Sequence, residues 1–336
     1  MTKEDQEQLL QALRVWGALD ANYAYRANLI SADTRGFGKE PGGGPDGAPK
    51  ASEPMRFSDI LQSQLWRYFG NFSRYEFQAT MFQAVGGMDA IGKGFLKQVG
   101  KFVRYNSKVT RIQQDERGVT VTYEDTKNGR GAPQQVKADW CVCTIPLPVL
   151  SQIPLDVKAP MKAAIDAVPY GASVKVGLQF KRKFWEEDEA IYGGVSFTDG
   201  PIRLIAYPSG ELNKGGKGVV LGAYLFGGPN SYEFSAMTPQ QRIEIALESG
   251  AKFHAQYRSE YESGVSVAWH RQPFIHGCSG SWTEATRRQH YANLCAIDGR
   301  IVLAGEHASW MMAWQEGSIL SALDAIKRLH ERVIKA

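Results

Sequence analysis

The stretch GRIVLAGEHASWMMAWQEGSILSA, Gly299–Ala322, reads in order as strand, acidic turn, aromatic loop and helix start. Ile301, Val302 and Leu303 form an apolar run between polar flanks, which predicts a short buried strand. Gly305 then allows a tight turn, and Glu306 follows at the strand's carboxyl end. Beyond Trp314 a helix begins near Gln315, Glu316, Gly317 and Ser318, and Ile319, Leu323, Ile326, Leu329 and Val333 keep helical spacing. The unpaired N–H groups and partial positive charge of that N-terminus predict a site beside Trp314 for a large, partly anionic ligand.

With 336 residues, 43% hydrophobic and 22% charged, the chain can bury a sizeable core in two or three domains. Its net charge of +4 comes from scattered basic residues, which argues against a nucleic-acid partner. No apolar run approaches the ~20 residues that a membrane span needs. The charged start MTKEDQEQLL lacks the features of a secretory signal, so the chain as it stands is expected to be soluble and cytoplasmic. An export signal on residues ahead of it would change that expectation. Cys141 and Cys143 lie two apart in the apolar WCVCTIP, share one sheet face and are expected to pack as small hydrophobes. Neither a metal site nor a disulfide is expected.

Residues Lys3 to about Asn28 read as helix with Leu9, Leu13 and Trp16 on one face, and the Gly/Pro/Asp-rich stretch from Ala32 to Pro54 reads as loop. A second helix is expected from Ser58 to Phe69, with Ile60, Leu61, Leu65, Tyr68 and Phe69 as its stripe and Gly70 as its stop. From Gly86 the chain gives the turn GGMD, a helix, the β-branched strands around SKVTRI, and a buried strand at WCVCTIP. Between Val168 and Trp269 the pattern is antiparallel: ASVKVGLQF, IYGGVSFTD, PIRLIAYP, GVVLGAYLF and SVAW, with a helix at Pro239 to Tyr257.

The GEH, AW and EG elements in tandem, together with GGMD, SKVTRI and the ADxxxxTIP strand in the same order, resemble the flavin-containing amine oxidases. AGEH followed by a tryptophan-centred loop most resembles their L-amino-acid oxidase branch. The resemblance implies FAD as cofactor and an α+β fold: a helical segment over 1–82, a partial FAD-binding domain over 83–150 and 270–336, and an antiparallel-sheet substrate domain over 151–269. It also implies that Glu306 accepts a hydrogen bond from a ribityl hydroxyl. Gly305, Ala313, Trp314 and the residues Gln315 to Ser318 would then surround the flavin, with the backbone of Val109 against the adenosine half.

Lys175 lies in SVKVGLQF with Ser173, Gly177 and Gln179 on one face and Val174, Val176, Leu178 and Phe180 on the other. Alone that reads as a lysine on a solvated face. In the family, a lysine after this GxxxK pattern holds a water against the flavin. Tyr224, ending GVVLGAY, resembles the tyrosine whose hydroxyl binds the substrate carboxylate, with Tyr207 in LIAYP as its competitor. Trp269 and Trp314 are candidate walls of the flavin and substrate cavity. Ala313 stands where the amino-acid oxidase branch often carries glycine, and would crowd the substrate's α-carbon side. His270, His276 and His307 match no metal spacing and are expected to be structural.

The family's strand-turn-helix with GxGxxG, and its GxMR segment, have no counterpart here. Gly42, Gly44 and Gly47 satisfy the bare spelling, but the run contains proline and opens no helix. The expected activity is therefore FAD-dependent oxidation of an L-amino acid by oxygen to a 2-oxo acid, ammonia and hydrogen peroxide, with a companion chain or further segment supplying the dinucleotide fold. Homo- or hetero-oligomerisation follows from that need. Two alternatives stand beside it, a monoamine or polyamine oxidase and a truncated, non-catalytic interaction subunit.

Overall fold

The computed structural model describes residues 1–17, 19–28, 32, 36–53, 57–64, 66, 82–127 and 132–335. The chain divides into two compact units, Met1–Phe77 and Gln78–Ala336. In the first, α1 (Lys3–Trp16) starts in a capping box: Asp5 N donates to Thr2 Oγ1 and Thr2 N to Asp5 Oδ2. It ends well before Asn28, because Gly17 caps it and Asp20 Oδ1 then takes the N–H groups of Asn22 and Ala24 at 2.8 and 3.1 Å, closing a turn instead. The stretch read as loop contains a small hairpin, β1 (Phe37–Lys39) against β2 (Lys50–Ala51), and the Gly42–Gly47 run is its connection. Gly42 N donates to Gly47 O at 2.9 Å, so this run folds back on itself through a 3-10 turn at Pro45–Gly47 and opens no α-helix. A short helix α2 (Phe57–Ser63) covers the start of the second expected helix, whose Leu65, Tyr68 and Phe69 lie outside the described residues.

The second unit opens with α3 (Asp89–Val99), directly after the GGMD turn. Three antiparallel strands follow, β3 (Ser107–Gln114), β4 (Val119–Asp125) and β5 (Gln134–Ala138), with β3 at one edge. Next, β6 (Cys141–Cys143) enters a second sheet, and α4 (Leu147–Leu150) and α5 (Ala159–Asp166) carry the chain to β7 (Ser173–Phe180). Strands β7, β8 (Val195–Phe197), β9 (Leu204–Ala206), β10 (Gly218–Phe226) and β11 (Tyr261–Ala268) form one antiparallel sheet ordered β11-β7-β10-β9-β8.

Four helices accompany this sheet: α6 (Phe184–Glu187) after β7, then α7 (Gly228–Ala236), α8 (Pro239–Gly250) and α9 (Tyr257–Glu260) between β10 and β11. The helix expected over Pro239 to Tyr257 is therefore two helices, with His254 turned into the core between them. Val174, Val176, Leu178 and Phe180 are fully buried against Phe184, Trp185 and Tyr257, which is the larger of the unit's two main cores. Phe180 meets Phe184 and Trp185 edge-on at 5.2 and 5.9 Å. The other main core joins Ile112, Leu147, Ile165, Leu294, Ile301 and Leu303 and includes Cys143, with the half-buried Cys141 packed against it.

The chain closes with α10 (Glu284–Cys295), β12 (Ile297–Asp298), β13 (Ile301–Leu303) and α11 (Gln315–Val333). Strand β13 lies parallel to β6, pairing Ile301 with Cys141 and Leu303 with Cys143. Among the described residues β6 is the edge of this sheet. On α11 the buried residues are Gly317, Ser321 and Ala325; of the predicted stripe Leu329 packs against the same core, while Leu323 and Ile326 are 64% and 53% exposed. Small side chains let the helix approach β13 closely, as the fully buried Val302, Ala304 and Ala325 show.

Candidate functional site

Gly305 leaves β13 at φ 137°, a conformation open to glycine, and a Cβ there would sit 2.7 Å from the His307 ring. The turn it makes places Glu306 between two main-chain donors: Gly280 N donates to Oε1 at 2.9 Å and Ala313 N to Oε2 at 3.1 Å. Glu306 is thus first a clamp that ties the aromatic loop to the 277–283 segment. With Tyr170 also bonded to it, the carboxylate still has lone-pair capacity for a ligand hydroxyl. The loop closes on Gly317, where a Cβ would meet Met311 O at 1.9 Å, so only glycine admits this approach. Trp314 is the N-cap of α11 and no side chain caps the helix there, leaving first-turn N–H groups to serve a ligand. Gln315 and Glu316 are exposed, Trp314 and Ser318 partly so. Ala313 adopts φ 65°, the left-handed region that costs an L-residue energy and glycine none. The chain therefore carries alanine at a position whose backbone favours glycine.

Beside Glu306 the buried His307 accepts or donates a 3.1 Å hydrogen bond at Nδ1 with the Tyr170 hydroxyl. Desolvation lowers the imidazole to about 4, which keeps it neutral near pH 7. Burial and then the Glu306 charge raise Tyr170, so its phenol stays protonated.

In the antiparallel sheet, Lys175, Tyr224 and Val267 occupy one row across β7, β10 and β11. The Lys175 ammonium lies 4.8 Å from the Tyr224 ring centroid, a cation–π contact. Lys175 is exposed, as the alternation in SVKVGLQF predicts. Tyr224 is raised by desolvation and then by Cys278, so it too remains a donor. Cys278 is exposed, and its thiol is raised first by desolvation, with Lys175 and Ser173 lowering it and Glu306 raising it. Trp269 stands one residue beyond Ala268, whose row pairs with Val174.

Tyr207, the competitor of Tyr224, is committed elsewhere. Its hydroxyl binds His254 Nε2 at 2.6 Å and Ser196 Oγ at 3.0 Å, while His254 Nδ1 binds Glu189 at 2.7 Å. Val109 lies on β3, the edge strand of its sheet among the described residues, and lines a cavity of about 460 Å³. Ile145, Val149 and Ile153 give that cavity an apolar wall, and Arg104, Asn106 and Lys108 give it polar groups. The sequence reading missed Tyr170, Gly280, Trp282 and Arg287, which all act on the loop from afar in sequence. Only the Thr283 cap of α10 offered a local signal. Among the described residues no group of three or more His, Cys, Asp or Glu could hold a metal, and no helix is long and apolar enough to cross a membrane.

A glycine-acid turn beneath an uncapped helix, a cavity beside β3, and a lysine-tyrosine row on a separate sheet define an α+β cofactor-binding protein. The chain belongs to the family of flavin containing amine oxidoreductases, whose model matches residues 53–329. It is 29% identical over 295 residues to an L-amino-acid oxidase of Siganus canaliculatus, covering 84% of this chain and 55% of that one. It is 30% identical over 250 residues to the flavin-dependent L-tryptophan oxidase RebO of Lentzea aerocolonigenes, covering 73% and 52%. The fold is similar to that of cyclohexylamine oxidase from Brevibacterium oxydans IH-35A, with a TM-score of 0.61, 19% identity and coverage of 74% and 53%. The chain spans about half the length of the curated relatives it matches.

FAD is the cofactor that family membership assigns, and the residues present fit it. The uncapped first turn of α11 suits a flavin carbonyl that gains negative charge on reduction, and the Val109 cavity suits its adenosine end.

Proposed function

We propose that this chain is the flavin- and substrate-facing part of an L-amino-acid oxidase, working with a dinucleotide-binding portion carried on further residues or on a companion chain. The observation that carries this reading is the Gly305–Glu306 turn beneath the uncapped first turn of α11, with Gly280 N and Ala313 N on the Glu306 carboxylate, in a chain whose Lys175 and Tyr224 lie side by side on the antiparallel sheet. The names of the relatives support the choice of amino acid over simple amine.

FAD, when bound, accepts two electrons and a proton from the substrate's α-carbon and returns the electrons to oxygen, giving hydrogen peroxide. This chain's residues bind and orient. Gly305, Glu306, Trp314 and the first turn of α11 hold the ribityl and flavin end; the Val109 edge of β3 holds the adenosine end. The protonated Tyr224 hydroxyl donates to the substrate carboxylate, and the Lys175 ammonium orients a water for hydrolysis of the imino acid to 2-oxo acid and ammonia. Trp314 and Trp269 exclude bulk water. The open β6 edge, with Leu323 and Ile326 exposed on α11, provides a surface for the dinucleotide-binding portion.

Product assays on the reconstituted protein test the reading. Peroxide, ammonia and a 2-oxo acid are expected from L-amino acids; peroxide from amines with none from amino acids would move the protein to the monoamine or polyamine oxidases. Lys175→Met is expected to slow turnover or reoxidation, and unchanged kinetics would remove Lys175 from the mechanism.

A further inference from the structure

Three aromatic side chains converge on one guanidinium. Arg287 Cζ on α10 lies 4.2 Å from the Trp310 ring centroid, 4.7 Å from that of Tyr291 and 5.4 Å from that of Trp282. The rings also touch one another, Trp282 against Tyr291 edge-on at 5.6 Å and Tyr291 against Trp310 at 5.1 Å. Trp310 is 75% exposed, so no core fixes its indole. What holds it is the stack with Arg287 and Tyr291.

The same cluster grips the main chain. Arg287 Nη1 donates to Ser309 O at 3.2 Å, and Trp282 Nε1 donates to His307 O at 2.9 Å. From Ser309 the constraint passes along the loop: Ser309 Oγ accepts from Met311 N at 2.9 Å, and Ala313 N reaches Glu306. Ala313 then leads into Trp314 and α11 from a left-handed backbone, a conformation that must be held from outside. Arg287 is suited to this task. Its planar group stacks on rings through its faces while its edge donates to a carbonyl, a combination that lysine's compact ammonium cannot reproduce.

We propose that Arg287 is a positioning residue for the flavin-facing loop, locking Ser309 to Trp314 against α10 so that Glu306 and the first turn of α11 are set before FAD arrives. The proposal rests on the reading that this loop takes the flavin end of FAD. Loss of the lock adds the cost of ordering the loop to the cost of binding.

The test compares Arg287→Met and Arg287→Lys with the unsubstituted chain by amide hydrogen exchange without cofactor, and by FAD titration in the presence of the dinucleotide-binding portion. Exchange at the Met311 and Ala313 amides is expected to speed up about tenfold in Arg287→Met, with FAD affinity falling about tenfold, since losing ~1.4 kcal/mol of pre-organisation is a factor of ten. Arg287→Lys is expected to recover little of either. Exchange in β7 and β10 serves as the control for folding and should not change. Loop exchange unchanged in Arg287→Met, with that control intact, overturns the proposal; so does faster loop exchange with FAD affinity untouched. An unsubstituted chain that takes up no FAD with any partner would retire the flavin reading, leaving loop exchange to decide whether Arg287 is a lock at all.

Discussion

On one face of β7, Val174, Val176, Leu178 and Phe180 are fully buried beneath α6 and α9, while on the other Lys175 is exposed and shares its surface with Val219 at 53%, Phe226 at 55% and Val265 at 64% exposure. The covered face carries the stability of this sheet. The open face carries the candidate chemistry together with apolar side chains that a cofactor, a substrate or a second protein portion would cover. A strand whose two faces differ this much separates folding from function residue by residue, and substitutions on the two sides should separate likewise.

The largest expected difference is between two phenylalanines of this sheet. Phe180→Ala should destabilise the chain by about 3 to 5 kcal/mol through the cavity it leaves, whereas Phe226→Ala should cost less than about 0.5 kcal/mol. Denaturant midpoints measure both. Equal losses would break the distinction between the faces.

Acid should weaken the loop side next. His307 is 2% exposed and held down to about 4 by desolvation, against 6.5 as the ordinary value. The unfolded chain therefore takes up this proton first as pH falls, and stability drops from about pH 6.5 toward pH 4, by about 2 to 3 kcal/mol at pH 4.5. His307→Gln should flatten that part of the stability–pH curve. An unaltered acid limb in this variant would show that His307 is not its source.

The smallest effect is expected at Ala313, whose φ of 65° suits glycine. Ala313→Gly should raise stability by about 0.5 to 1 kcal/mol, where an exposed alanine in ordinary backbone would lose stability on the same change. A lower melting temperature would contradict the left-handed assignment.

Much of this was legible beforehand because period and punctuation are local properties. β3, β7, β10, β11 and β13 follow from alternation or from short apolar runs, and the start of α11 follows from the Trp314–Ser318 transition. Residues 3–28 were overextended because Gly17 and the Asp20 turn outcompete an otherwise helical composition. α10 escaped notice since Leu294 is its sole buried residue, leaving no stripe to read. Only part of the predicted stripe on α11 faces inward, Leu329 but not Leu323 or Ile326, because close packing against β13 rewards Ser321 and Ala325 over larger side chains. In the candidate site, Glu306, Lys175 and Tyr224 could be named from motif and row. The bond from Gly280 to Glu306 and the grip of Arg287 on Ser309 depend on segments far apart in sequence that no local pattern joins.

Flavin retention tests the central claim most directly. The purified chain, combined with a dinucleotide-binding portion, should elute with flavin absorbance in proportion to the protein, and Gly305→Ala, which forces a side chain into the His307 ring, should elute without it while the β7 core stays folded. A chain that elutes colourless with every such partner, or a Gly305→Ala variant that retains flavin undiminished, would contradict the assignment of this turn to the cofactor.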